Sequence, residues 1–155
     1  FLNSVFGFMI EQVNAHDGVI NKFLGDGFMA VFGAPLSNDL CSRNAIKAAL
    51  AIHETLESKK RTGKIIDCEI GIGIHCGSVV TGNVGSEERK EFTIIGDVVN
   101  VASRIEAQNK PLSANILVSE DLWLEAGLEP EVNGISVPDV KLSGRQESVT
   151  LFRLK

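Results

Sequence analysis

The chain has 155 residues, 44% of them apolar, and a formal net charge of −5 from 15 Lys and Arg against 20 Asp and Glu. That is enough apolar material for one domain with a buried core, and too much for a disordered chain. The acidic balance argues against general affinity for nucleic acid or an anionic membrane surface, and no apolar run approaches a membrane span.

The opening FLNSVFGFMIEQ has no basic region or cleavage site of a signal peptide. It reads as a helix entered part-way along. Leu2, Val5, Phe6, Met9, Ile10 and Val13 recur at helical spacing and predict an amphipathic helix over 2–16. HDG at 16–18 ends it. Two strands, Gly18 to Leu24 and Gly27 to Phe32, then flank Gly25-Asp26, a common hairpin turn. GAPLSND is a loop in which Asn38 or Asp39 is a plausible helix cap. Cys41, Ala45, Ala48, Ala49, Ile52 and Leu56 form the next helical stripe, and KKRTGK is a solvated basic turn.

CEIGIGIHCG alternates like a strand, and SVVTGNVG and EFTIIG predict two more. Gly96 to Gln108 is helical. ILVS is a short strand, and SEDLWLEAG a short helix with Ser119 as its cap. VKLSG and VTLFRL predict a closing hairpin. Strands and helices alternate, hairpins included, which predicts an α+β or α/β sandwich of helices packed on a sheet, with residues 1–155 as a single domain. Cys41, Cys68 and Cys76 are odd in number and lack metal-type spacing, so they are expected as reduced thiols in the cytosol.

Several chemistries find no support. GIGIHCG does not match the dinucleotide glycine spacing, and there is no GxxxxGK[ST] phosphate loop. His16, His53 and His75 have no obvious sequence partners, so a Ser or Cys nucleophile is unsupported. Two constellations remain. In KFLGD (22–26), Asp26 sits between glycines at the hairpin tip, either as a plain chain reversal or for another use. In EFTIIGDVVNVASR (91–104), Asn100 and Arg104 are four apart on one helix face. An amide and a guanidinium projecting together suit a sugar and a phosphate, or simply an exposed polar face.

KFLGDGFMAVFGAP followed by IGIHCGSVVTGNVGSEERKEFTIIGDVVNVASRIE resembles the catalytic domain of class III nucleotidyl cyclases, prokaryotic adenylate cyclases in particular. The similarity continues to the C-terminus. It implies a ferredoxin-like βαββαβ-type α+β sandwich working as a head-to-tail homodimer with two interfacial sites. Each site takes metal ligands from one subunit and base, ribose and phosphate contacts from the other. ATP becomes 3′,5′-cyclic AMP and pyrophosphate as the ribose 3′-hydroxyl attacks the α-phosphorus, assisted by two divalent cations, Mg²⁺ or Mn²⁺. By this resemblance Asp26 is a metal ligand, Lys22 and Thr93 read adenine, Asn100 positions the ribose and Arg104 holds the α-phosphate. Lys22 donates to adenine N1, whereas guanine presents a donor there.

The chain also departs from the family. The segment resembling F-x-D-I-x-G-F-T, with the first metal aspartate, is not in this sequence, so the first strand is expected to be missing and these residues alone to be inactive. Ser143 stands where many relatives carry a phosphate-gripping lysine, and Arg145 two residues on is expected to supply the charge. Thr93 replaces the aspartate of animal membrane cyclases, which raises bicarbonate activation as an expectation. The remaining expectations are a cytoplasmic domain without direct membrane contact or nucleic-acid partner, and regulatory domains on the same chain. The whole protein is left open to membrane anchoring. The alternatives are a guanylate cyclase, or an inactive nucleotide-binding or dimerisation module.

Overall fold

The computed structural model describes residues 1–34, 37–128 and 134–155, with backbone alone for 83, 84 and 89–92. The first helix, α1 (Leu2–Ala15), turns Val5, Phe8 and Val13 inward. It leads into the hairpin β1 (Gly18–Leu24) and β2 (Gly27–Phe32), paired antiparallel from Gly18↔Phe32 to Leu24↔Gly27. Helix α2 (Cys41–Arg61) buries Ala45, Ala48, Ala49, Ile52 and Leu56 along one stripe, and its last turn carries Lys59, Lys60 and Arg61, the sign the helix dipole favours there. Asn38 does not cap this helix directly. Its Oδ1 accepts from Leu40 N (2.8 Å), one turn early, and the N-cap position is Leu40, whose side chain has no acceptor to offer.

The remaining elements are β3 (Ile72–Ile74), β4 (Val80–Ser86), β5 (Arg89–Ile95), α3 (Asp97–Ala107), β6 (Ile116–Ser119), α4 (Glu120–Glu125), β7 (Ile135–Val140) and β8 (Val149–Arg153). Four strands form a mixed sheet in the order β3-β6-β8-β7, with β3 and β6 parallel and the other pairs antiparallel. All four residues of β6 are buried, because both of its faces are covered. Ile116 and Val118 face a cluster with Ile46, Trp123 and Phe152, whereas Leu117 faces one with Val101, Ile105 and Leu151. Trp123 and Phe152 stack at 4.9 Å between ring centroids.

The fold is α+β as expected, but three details differ. The described strands fall into three hydrogen-bonded groups rather than one sheet, because β1-β2 and β4-β5 pair only within themselves. Hairpin β1-β2 and the start of β3 instead meet through side chains of a third apolar cluster under α1 and α2. The strand expected over CEIGIGIHCG is confined to Ile72–Ile74, since β3 pairs with only three residues of the short strand β6. The closing hairpin takes its first strand from Ile135–Val140, leaving most of VKLSG in the connecting loop. Pro138 cannot donate to a ladder, and β7 tolerates it as an edge strand with a register shift between Val137 and Val140.

One close approach fixes α3. A Cβ at Gly73 would lie 2.3 Å from Glu106 N and 2.8 Å from the Ala102 carbonyl oxygen, so α3 crosses β3 at backbone contact. Asn109 secures the crossing by donating from Nδ2 to the Ile72 carbonyl (3.0 Å) and to the Glu106 carbonyl (3.1 Å).

Candidate functional site

Asp26 occupies the second position of a two-residue turn closed by the pair Leu24↔Gly27. Gly25 takes φ 61°, the left-handed region that glycine enters without strain, and this leaves the exposed Asp26 carboxylate at the tip. Among the described residues Asp26 makes no hydrogen bond or ion pair. Its charge still reaches α3: Glu106 is held above the usual carboxylate range, first by burial and then by the negative Asp26. Lys22 is exposed on β1, opposite Met29, just after the register shift between Ile20 and Lys22. Thr93 is half-buried on β5 opposite Gly82, and β5 packs beside β1. The two expected base-reading residues therefore stand on adjoining strands.

Helix α3 carries the other expected pair, with Asn100 exposed and Arg104 half-buried one turn further on. The apolar side of α3 goes into the core through Val101 and the fully buried Ile105, which fixes the direction of the polar side. The loop between β7 and β8 comes to this helix. A Cβ at Gly144 would lie 3.3 Å from Arg104 Nη2, so the guanidinium rests against the bare α-carbon, and Gly144 takes φ 75°. The next residue, Arg145, forms an ion pair with Asp97, the first residue of α3, at 2.5 Å between Nη2 and Oδ2.

His75, at the end of β3, adjoins the same place. Its Nδ1 lies 2.7 Å from Ser119 Oγ, and that oxygen also accepts from Leu122 N to cap α4. Burial pushes the His75 imidazole below its ordinary value. Arg145 acts in the same direction, and Asp121 and Asp97 oppose it. A neutral His75 adds no further positive charge beside Arg145. The neighbouring Cys76 thiol is pushed up to about 12 by burial and by hydrogen bonding to Glu125, which also accepts from Ser42 Oγ (2.6 Å). Cys76 is therefore a protonated, weakly nucleophilic thiol. Among the described residues all three cysteines are unpaired.

The structure thus brings Arg104 and Arg145 together through Gly144, with Asn100 on the same helix, and sets Asp26 near Glu106 in the last turn of α3. Sequence reasoning singled out these residues but missed Asp97, His75 with Ser119, and Glu106. Asp97 was visible only as part of GDVVN at a helix start. Its partner lies 48 residues away, beyond the reach of any local pattern.

The whole chain, residues 1–155, matches the family described as adenylate and guanylate cyclase catalytic domain. It is 40% identical over 121 residues to adenylate cyclase 1 of Rhizobium meliloti, covering 76% of this chain and 18% of that protein. It is 36% identical over 164 aligned residues to the adenylate cyclase of Anabaena cylindrica, covering 100% of this chain and 32% of that protein. Among solved structures, the guanylyl cyclase Cya2 superposes with a TM-score of 0.84 at 32% identity, covering 99% of this chain and 77% of that one. The adenylyl cyclase CyaB from P. aeruginosa superposes with a TM-score of 0.79 at 27% identity, covering 99% and 80%. The chain belongs to the class III adenylate and guanylate cyclase catalytic-domain family. It spans less than a third of the length of these two curated relatives. No helix among the described residues is long and apolar enough to cross a membrane.

Proposed function

We propose that residues 1–155 are the catalytic domain of an adenylate cyclase, the cytoplasmic output end of a longer signalling protein. The domain works as a head-to-tail homodimer that converts ATP to 3′,5′-cyclic AMP and pyrophosphate. The observation that carries this reading is the grouping on α3: Asn100 and Arg104 project from one helix, and the Gly144-Arg145 loop lies over the Arg104 guanidinium.

In this reading the 3′-hydroxyl of the ribose attacks the α-phosphorus in line and pyrophosphate leaves. Arg104 donates to the α-phosphate oxygens, where charge develops in the transition state. Asn100 holds the ribose by its amide, which limits the orientations of the attacking hydroxyl. Arg145 binds the outer phosphates. Lys22 donates to adenine N1, and the Thr93 hydroxyl accepts from the 6-amino group. Guanine would set a donor against Lys22, so the pair favours ATP.

Divalent cations, Mg²⁺ or Mn²⁺, suit this chemistry. When bound, they neutralise the triphosphate and lower the pKa of the 3′-hydroxyl. Asp26 fits one carboxylate ligand of such a centre, as an exposed oxygen donor at a rigid turn. It does not make a two-cation centre alone: among the described residues no group of three His, Cys, Asp or Glu could hold an ion.

A guanylate cyclase is the second reading, favoured by the likeness to Cya2. Turnover of the full-length protein with ATP and with GTP separates the readings. A preference for ATP is expected. A preference for GTP supports the second reading, and nucleotide binding without any cyclic product would leave a binding or dimerisation module.

A further inference from the structure

We propose that Asp97 is a positioning residue for the substrate. It holds Arg145 beside Arg104, so that two guanidinium groups form one grip for the polyphosphate of a nucleoside triphosphate. The proposal rests on the cyclase reading above and adds to it a residue whose part there is to place another residue.

The β7–β8 loop has little else to hold it. Residues 143–148 are all exposed, and the loop's own backbone tie is a turn in which Arg145 N donates to the Leu142 carbonyl (3.1 Å). Gly144 lies against Arg104, so the fold sets two positive side chains next to each other along this loop. Like charges so placed repel, and without a counter-charge Arg145 would swing out to solvent. Asp97 supplies the counter-charge from a fixed point. It is the first residue of α3, where the helix dipole stabilises a carboxylate, and α3 itself is locked by its backbone contact with Gly73.

The contact also leaves Arg145 available. A guanidinium has five N–H donors in a planar fork, and the pair with Asp97 uses the Nη2 end. The Asp97 and Arg145 side chains remain 68% and 37% exposed, so an entering phosphate can share the guanidinium without stripping a buried ion pair. Two arginines against one carboxylate leave a net positive charge facing the ligand. Partial burial lowers the His75 pKa, which reduces its part in the repulsion.

The test compares full-length wild type with Asp97→Asn, Asp97→Glu, Arg145→Ala and the Asp97→Asn/Arg145→Ala double variant. A partly exposed pair is worth little, so Asp97→Asn is expected to raise KM for ATP about threefold to fivefold with kcat nearly unchanged. Asp97→Glu should retain most of the wild-type affinity. In the Arg145→Ala background Asp97→Asn should have no further effect. The gap between wild type and Asp97→Asn should close as salt rises from about 0.05 M to about 0.5 M. Calorimetric titration with inorganic tripolyphosphate should show the same ranking without turnover. Additive effects in the double variant, or a kcat loss with unchanged KM and tripolyphosphate affinity, would overturn the assignment. A wild type that makes no cyclic nucleotide would end the cyclase reading, and the tripolyphosphate titration would still decide the role of Asp97.

Discussion

The two ends of α3 differ in the partners that reach them. Asp97 begins the helix and pairs with Arg145, the residue after the Gly144 that covers Arg104. Glu106 stands near the other end, with Asp26 of the β1–β2 turn acting on it from outside the helix. The first turn holds Asp97 with the loop arginine Arg145, and the last turn holds Arg104 and Glu106, two residues apart. In the proposed head-to-tail dimer, Asp26 of one copy and the arginines of the other form one site. In the proposed cyclase reading this chain needs no Ser or Cys nucleophile. It supplies positioning and charge, and the substrate's own hydroxyl does the bonding.

The largest effect is expected from removing the Arg104 cation. Arg104→Ala should lower cyclase turnover by roughly two to three decades, the usual cost of losing a donor to developing charge. The thermal midpoint should hardly move, because Arg104 is only half-buried and rests on a glycine α-carbon. Unchanged kcat in a folded variant would remove Arg104 from the site.

A smaller effect concerns the base. Lys22→Glu combined with Thr93→Cys presents an acceptor where Lys22 offered a donor. The ratio of ATP to GTP turnover should fall by about tenfold or more. A ratio that stays at the wild-type value would show that adjoining strands β1 and β5 do not read the base.

The smallest effect is on pH. The folded-state pKa of His75 lies below 6.5, so its neutral form is the one the fold prefers. Its contribution to stability is complete above the unfolded value and is lost as pH falls through the lowered folded value. Between about pH 7 and about pH 5, wild type should lose more stability than His75→Gln in chemical denaturation. Equal losses would show that His75 pays no penalty for protonation beside Arg145.

Much of the fold was legible because it is written locally. Hairpin β1-β2 follows from two strand-like apolar runs around Gly25-Asp26, and the bounds of α1 and α3 follow from apolar spacing to within a residue or so. Ser119 was legible as a cap because its acceptor lies three residues away, at Leu122 N. The errors lie where distant pairing decides. The length of β3 is set by β6, and β7 runs through Pro138 because its outer edge needs no donor. For the proposed site, the motifs singled out Asp26, Lys22, Thr93, Asn100 and Arg104. The partnership of Arg145 with Asp97 and that of His75 with Ser119 span 48 and 44 residues, and only the folded chain joins them.

The most direct test of the two-copy site is complementation. Full-length Asp26→Asn lacks the proposed metal carboxylate, and Arg104→Ala lacks the proposed phosphate-binding guanidinium. Each purified alone should be nearly inactive. Co-refolded in equal amounts, half of the dimers are mixed and each holds one intact site of two, so about one quarter of wild-type activity should return. A mixture no more active than its parts, with mixed dimers verified, would contradict a site shared between two chains.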